Sequence, residues 1–260
     1  MGIKVEKFLI PNSFFFPGEP TLATNLVDAL IKAIQLIISL DPETIQITFL
    51  SLQISLFAVF YACLLGIPFG IVIGSKEFFG KRLILTIVNT GMSFPPVVMG
   101  LLIFVLFTPI GPIGSLGFNI LLTPQAMILA QFLLAFPIIA GLVSSAVTNI
   151  DFTVREAAYT LGANSRQMIW MQIREIRTDI LASIITAFGE AISEIGAVLI
   201  VGGNIRYKTR TLTTAIGRDI DGGLWAEALA LGIILLTTAF LINLILTFIQ
   251  HRDVKIIKGD

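Results

Sequence analysis

Glu190 and Glu194 stand four residues apart in an otherwise apolar stretch, about 180–201. On a helix that spacing puts both carboxylates on one face, where like charges repel. In a low-dielectric setting one of them must be protonated or paired. The expectation is that Glu190 pairs with an Arg or Lys of a neighbouring helix, away from any pathway. Just downstream, Asn204, Arg206, Lys208, Thr209 and Arg210 form a polar, basic stretch. Donors and positive potential of this kind suit an anion, or a solvated loop that meets a partner protein. Upstream, Asn89 and Ser93 precede Pro95-Pro96. Proline removes helix hydrogen bonds and kinks the chain, and at membrane depth the freed groups must be buried in protein or line a cavity. These residues mark either a pathway or a packing kink.

The inventory closes off other chemistry. His251 is the only histidine and Cys63 the only cysteine, which excludes an intrachain disulfide and argues against zinc or histidine catalysis. Cys63 reads as a packing residue. Asp219-Ile220-Asp221-Gly222 lacks the further ligands and distal Glu of a calcium loop. There is no G-x-x-x-x-G-K-[ST] phosphate loop, so any ATP hydrolysis belongs to another polypeptide. No cofactor or metal is expected on this chain.

The elements that position these residues are membrane helices. The 260 residues are 55% hydrophobic and 13% charged, against roughly 25% charged in an average soluble domain, and mean hydropathy is +0.92. Formal net charge is zero, which implies no pull toward nucleic acid. A spanning helix needs about 20 mostly apolar residues. Ile45 to Ser75 and Leu83 to Ile150 contain no Asp, Glu, Lys or Arg. The second run breaks at Thr108 to Pro124, which is rich in Pro and Gly. Five spans follow, at about 45–75, 83–107, 125–148, 180–201 and 224–249. The expected fold is all-α and integral to the membrane. On the first span Gly66, Gly70 and Gly74 repeat every four residues, a stripe that lets helices pack backbone to backbone.

Residues 22–40 are apolar at helical spacing but interrupted by Asp28, Lys32 and Gln35. An amphipathic helix on the outer membrane surface is favoured over a sixth span. Lys4 and Lys7 precede no apolar centre long enough for a signal peptide. The organisation expected is thus an extracytoplasmic segment over 1–43, a transmembrane domain over 44–250 and a cytoplasmic tail over 251–260. With the C-terminus inside, ten of the 17 Lys and Arg residues fall on the inner side and seven outside, a weak bias in the right direction.

The longest polar stretch between spans is 151–179. Asp151 is placed to cap a helix through Leu161, and Gly162 to end it in the left-handed conformation. A second helix is expected over about 165–176. Val154, Ala157, Ala158 and Leu161 are expected to share one face, open to close approach by another protein.

This stretch resembles a known family. Glu156-Ala157-Ala158, three residues, then Gly162 is similar to the core of the EAA loop of ABC importer permeases, with Arg155 and Leu161 flanking it. The family's proline past the glycine is missing at Ile173-Arg174-Glu175-Ile176, which leaves the loop's exit geometry open. Phe94-Pro95-Pro96-Val97-Val98-Met99-Gly100 and Ser193-Glu194-Ile195-Gly196-Ala197 resemble span motifs of molybdate, tungstate and sulfate permeases. Gly202-Gly203-Asn204-Ile205 and Thr209-Arg210-Thr211-Leu212 resemble their outer loop, and the string from Ser193 to Ile205 is most similar to tungstate permeases. At Glu190 these families commonly carry arginine.

The resemblance implies a type I importer fold in a bacterial or archaeal cell membrane. It implies a homodimer moving a tetrahedral oxyanion, tungstate first, by alternating access. Two ABC ATPase subunits would supply ATP and Mg and dock on the EAA loop, and an extracytoplasmic binding protein would deliver the anion. Asn89, Ser93, Pro95, Pro96, Glu194, Gly196, Gly202, Gly203, Asn204, Thr209 and Arg210 would line or gate the pathway. Molybdate or sulfate transport and a self-sufficient carrier remain as alternatives. A membrane-embedded enzyme is disfavoured, because only Glu190 and Glu194 are intramembrane carboxylates.

Overall fold

The computed structural model describes residues 22–39 and 41–258. The stretch holding Lys4 and Lys7 lies outside the described residues, as do the last two residues of the tail. Among the described residues the regular structure is all helical, with no strand.

Three helices are long and apolar enough to cross a membrane: α2 (Pro42–Ser75), α5 (Pro124–Thr148) and α11 (Trp225–Lys258), the last over Trp225–Gln250. The other two expected spans are broken. The first is α3 (Lys81–Met92) and α4 (Pro96–Phe107), bent by 102°. The second is α8 (Arg177–Ser193) and α9 (Gly196–Gly202), bent by 56°. The span expected over 83–107, with its kink at Pro95-Pro96, is thus a helix–break–helix pair, and so is the span expected over 180–201, where no kink was expected. Pro95 supplies the first break, because its extended ψ of 121° leaves the helix. The second break has no proline. Ser193 donates its hydroxyl to the carbonyls of Gly189 (2.8 Å) and Glu190 (3.2 Å), a back-bond that bends helices. Glu194 then turns extended at ψ 130°.

The shorter helices are α1 (Leu22–Ile38), α6 (Phe152–Thr160), α7 (Ser165–Glu175) and α10 (Leu212–Asp221). α1 packs along α11, and Lys32 pairs with Glu227. α11 continues as helix through the expected tail to Lys258.

α5 is the central post, packed against α2, α3, α4, α8 and α9. Its C-terminal half meets α2 and α8 around Ala62, Ile139, Val143, Val147 and Phe188. Its N-terminal half meets α4 and α9 around Ile103, Met127, Val198 and Val201. The glycine stripe sets the α2–α5 approach. A Cβ on Gly70 would lie 2.7 Å from the Ala140 carbonyl oxygen, and one on Gly74 2.7 Å from that of Ser144. These are backbone atoms, so neither helix can yield without moving as a whole.

Gly70→Ala is expected to destabilise the fold by about 1–3 kcal/mol through overpacking. Gly232→Ala on α11, where an added Cβ meets nothing within 4 Å, is expected to be neutral or to stabilise by up to about 1 kcal/mol. Thermal unfolding in detergent separates the two, and equal midpoints would discard the close-approach role of the stripe.

Candidate functional site

The two breaks face each other across a cavity of about 450 Å³. Its wall runs from Gly91 to Pro96 at the first break and through Glu190, Ala191 and Glu194 at the second. Gln131, Leu134, Ala135 and Ile138 of α5 close it. Four expected pathway residues, Ser93, Pro95, Pro96 and Glu194, thus come together. Asn89 is exposed on α3 and does not line the cavity. Gly196 lies just beyond, where α4 crosses α9: a Cβ there would meet Val97 Cγ2 at 2.5 Å, and one on Gly100 would meet Ala197 Cα at 2.7 Å.

Breaking α8 frees backbone groups, and side chains answer them. Gln131 Nε2 donates to the Ala191 carbonyl at 2.7 Å. Thr213 Oγ1 donates to the Glu194 carbonyl at 2.9 Å. The Glu194 carboxylate accepts from the Ala197 N–H at 2.8 Å and so caps α9. Gln131 was missed from the sequence, although an amide in the interior of the uncharged α5 span is itself a signal of a polar partner. Glu190 requires a correction. It is exposed and lines the cavity, and no Lys or Arg of the described residues pairs with it. Among the described residues no ion pair to a neighbouring helix holds it.

The loop between α9 and α10 is built separately. Gly202 abuts Met127, whose Sδ would be 2.8 Å from an added Cβ, and Gly203 ends α9 at φ +71°. Thr209, wholly buried, donates to the Gly202 carbonyl at 2.6 Å and accepts from the Ile205 N–H at 3.0 Å. Arg210 donates to Asn204 Oδ1 (3.2 Å) and to Glu43 (3.0 Å). Arg206 makes a bidentate pair with the same Glu43, at 2.6 Å for its shortest contact. Two of the three cations of the basic stretch read from the sequence, Arg206 and Arg210, therefore share one carboxylate at the start of α2, which leaves the stretch net positive, and Asn204, Thr209 and Arg210 serve as the loop's own scaffold. Asp219 is buried against Arg218.

On the opposite side, α6 and α7 form the loop. Asp151 accepts from the Thr153 backbone N–H and hydroxyl, both at 2.8 Å; the backbone bond, then the side-chain bond, holds its carboxyl below the usual carboxylate range. Gly162 adopts φ +75° with open space around it, as expected. Asn164 and Gln167 form a capping box at the head of α7. The missing proline has a visible result: Ile176 alone separates α7 from α8, and its N–H still bonds the Gln172 carbonyl at 3.0 Å.

No residue of α6 is buried. Glu156 and Ala157 are exposed and Ala158 partly so. The shared face expected for Val154 and Leu161 is split, because Val154 packs toward the core whereas Leu161 is 87% exposed. Phe152 (72%) and Tyr159 (70%) join Leu161 in an apolar, accessible surface, which the sequence reading had missed. The loop is nonetheless tied to the spans. Arg155 donates to the Val147 carbonyl at the end of α5, and Ser75 at the end of α2 donates to Gln172 at 2.8 Å.

Glu194→Ala is expected to cost about 1 kcal/mol through loss of the α9 cap, and Glu194→Gln a fraction of that. The order of the thermal midpoints checks it; Ala and Gln variants of equal stability would remove the capping role.

Comparison with known proteins identifies the family. Residues 66–253 match the family model described as binding-protein-dependent transport system inner membrane component. A probable anion ABC transporter permease protein of Haloferax volcanii is 40% identical over 204 residues, 76% of this chain and 87% of its own. A tungstate uptake system permease protein of Peptoclostridium acidaminophilum is 39% identical over 220 residues, 85% of this chain and 96% of its own. A bacterial alginate ABC transporter, solved in complex with its alginate pentasaccharide-bound periplasmic protein, superposes with a TM-score of 0.70 at 20% identity, covering 94% of this chain and 92% of its own. The chain belongs to the family of binding-protein-dependent transport system inner membrane components, the membrane-spanning permease subunits of ABC importers.

Proposed function

We propose that the chain is the permease of an ATP-driven tungstate importer and works as a homodimer by alternating access. The observation that carries the coupling half of this reading is the α6–α7 loop. Its outer surface is apolar and exposed while its inner contacts fasten it to α2 and α5. A surface built this way suits a docking partner, here two ABC ATPase subunits that bind ATP and Mg on the cytoplasmic side. Arg155 anchors the loop, Glu156, Ala157 and Ala158 lie at its surface, and Leu161 and Gly162 form its tip. On this reading the C-terminus is cytoplasmic and the chain a multi-pass protein of the cell membrane.

ATP binding would draw two loops together. The motion would pass through Ile176 into α8 and reach the Glu190–Glu194 break at the cavity, rocking the helix pairs outward. An extracytoplasmic binding protein would release its anion there, and hydrolysis would restore the inward-open form. Tungstate is preferred because the Peptoclostridium relative, similar over nearly its whole length, is named for tungstate uptake. Selectivity would lie mainly in the binding protein, so molybdate or sulfate is the second reading.

Leu161→Asp is expected to abolish copurification of the ATPase while leaving the thermal midpoint of the permease unchanged; a normal yield of ATPase would reject the docking role. In the assembled complex in lipid, binding protein loaded with tungstate is expected to stimulate ATP hydrolysis at lower anion concentration than molybdate or sulfate. Equal stimulation by molybdate would remove tungstate from the assignment, and the absence of any ATPase partner would remove the importer reading.

A further inference from the structure

Residues 76–80 join the end of α2 to the start of α3. Phe79 is 106% exposed and Phe78 38%, so the first ring lies free of its own chain. Lys76, Lys81 and Arg82 flank the pair, with Glu77 as the single acid among them. Lys81 is bonded to Glu77 at 2.7 Å. Lys76 and Arg82 are exposed, and among the described residues no ion pair holds either. A cleft of about 490 Å³ opens between the two rings and Lys81, Arg82 and Leu85. The turn thus sets apolar surface beside two uncompensated cations.

This turn stays at the bilayer surface. Exposed apolar side chains run along α2 to Phe69 and Val72 and resume on α3 at Leu83 and Ile87. The chain from Ser75 to Lys81 extends about 20 Å at most. Out and back, its tip stands within about 10 Å of the helix ends, comparable to a headgroup layer about 5–8 Å deep on each side. Ser75 donates to Gln172 of α7 at 2.8 Å, which puts the turn on the side of the α6–α7 loop. A phenyl ring at this depth gains by leaving water for the acyl region, and Lys and Arg at the same depth attract anionic headgroups. Phe79, Leu83 and Ile87 recur every four residues. The apolar flank therefore leads from the turn along a membrane helix, not toward the polar α7 with its Arg166, Gln167, Arg174 and Glu175.

We propose that the 76–82 turn is a docking site for an anionic phospholipid of the leaflet on the α6–α7 side. Lys76 and Arg82 take the phosphate of the headgroup, and Phe78 and Phe79 lie against its upper acyl chains. A lipid held there tethers the start of α3, the helix that ends at the Pro95 break. Only the name of the leaflet, cytoplasmic, rests on the importer reading.

The test uses the full chain in nanodiscs of phosphatidylcholine and phosphatidylglycerol, alone and with its ATPase bound. Trp170 and Trp225, both exposed, are replaced by Phe, and Phe79→Trp supplies a single indole. Its quenching is compared between discs in which only one of the two lipids, at equal mole fraction, carries brominated chains. Brominated phosphatidylglycerol is expected to quench more strongly, with and without the ATPase. At low salt the preference is expected to fall about fivefold for each of Lys76→Gln and Arg82→Gln, and to weaken as salt is added. Equal quenching by the two lipids, or a preference unchanged in the double variant, overturns the site. An indole that neither lipid quenches lies in water or under protein, and one that loses quenching when the ATPase binds lies under that subunit; both results overturn it as well. Should the tryptophan replacements unfold the chain, native mass spectrometry compares retained phosphatidylglycerol over phosphatidylcholine in the wild type and the Lys76→Gln/Arg82→Gln variant, and equal ratios overturn the site. Neither nucleotide nor oxyanion enters the assay, so its failure leaves the importer reading intact.

Discussion

A bilayer supplies no hydrogen-bond partner to a helix that stops inside it, and this constraint organises the molecule. Two of the five apolar segments stop midway, so every carbonyl and amide freed there needs an answer from protein. α5 provides much of it. It is the element both breaks lean on, and Gln131 supplies the donor for Ala191. Glu194 caps the helix that restarts beyond it, and Thr213 reaches across from α10 to the Glu194 carbonyl. The unbroken α2–α5 pair, locked backbone to backbone at its glycines, holds the frame against which these interrupted pieces are set.

The two ends of the molecule are finished differently. At one end Glu43 gathers Arg206 and Arg210 into one paired cluster, and Thr209 is consumed in holding its own loop closed. At the other end α6 leaves its aromatic and aliphatic side chains uncovered, while Arg155 and Gln172 bind the same loop firmly to the spans.

Much of this was legible in the sequence because it is local. The Asp151 cap, the left-handed Gly162, the break at Pro95 and the four-residue glycine spacing follow from the chemistry of single residues and short periods. The break at Glu194 was not legible as a break, since no proline marks it and Ser193 bends the helix only through where its hydroxyl points. Nor were the bonds between distant positions: Gln131 to Ala191, 60 residues apart, or Arg210 to Glu43, 167 apart. The isolation of Glu190 is of the same kind, because whether a carboxylate finds a cation depends on how helices rotate against one another. The exposed Phe152 and Tyr159 were hidden by their hydrophobicity, which in a chain this apolar carries little information about burial.

The join between α7 and α8 has a mechanical consequence. Because Ile176 keeps its bond to Gln172, and the Ile180 N–H bonds the Ile176 carbonyl at 2.9 Å, bending there means breaking helical hydrogen bonds on both sides. The opposite end of α8, at Ser193 to Ile195, has already given them up. In a rod with one stiff joint and one compliant joint in series, deformation collects at the compliant one. A displacement imposed on α6 is therefore felt least where it enters and most at the wall of the cavity.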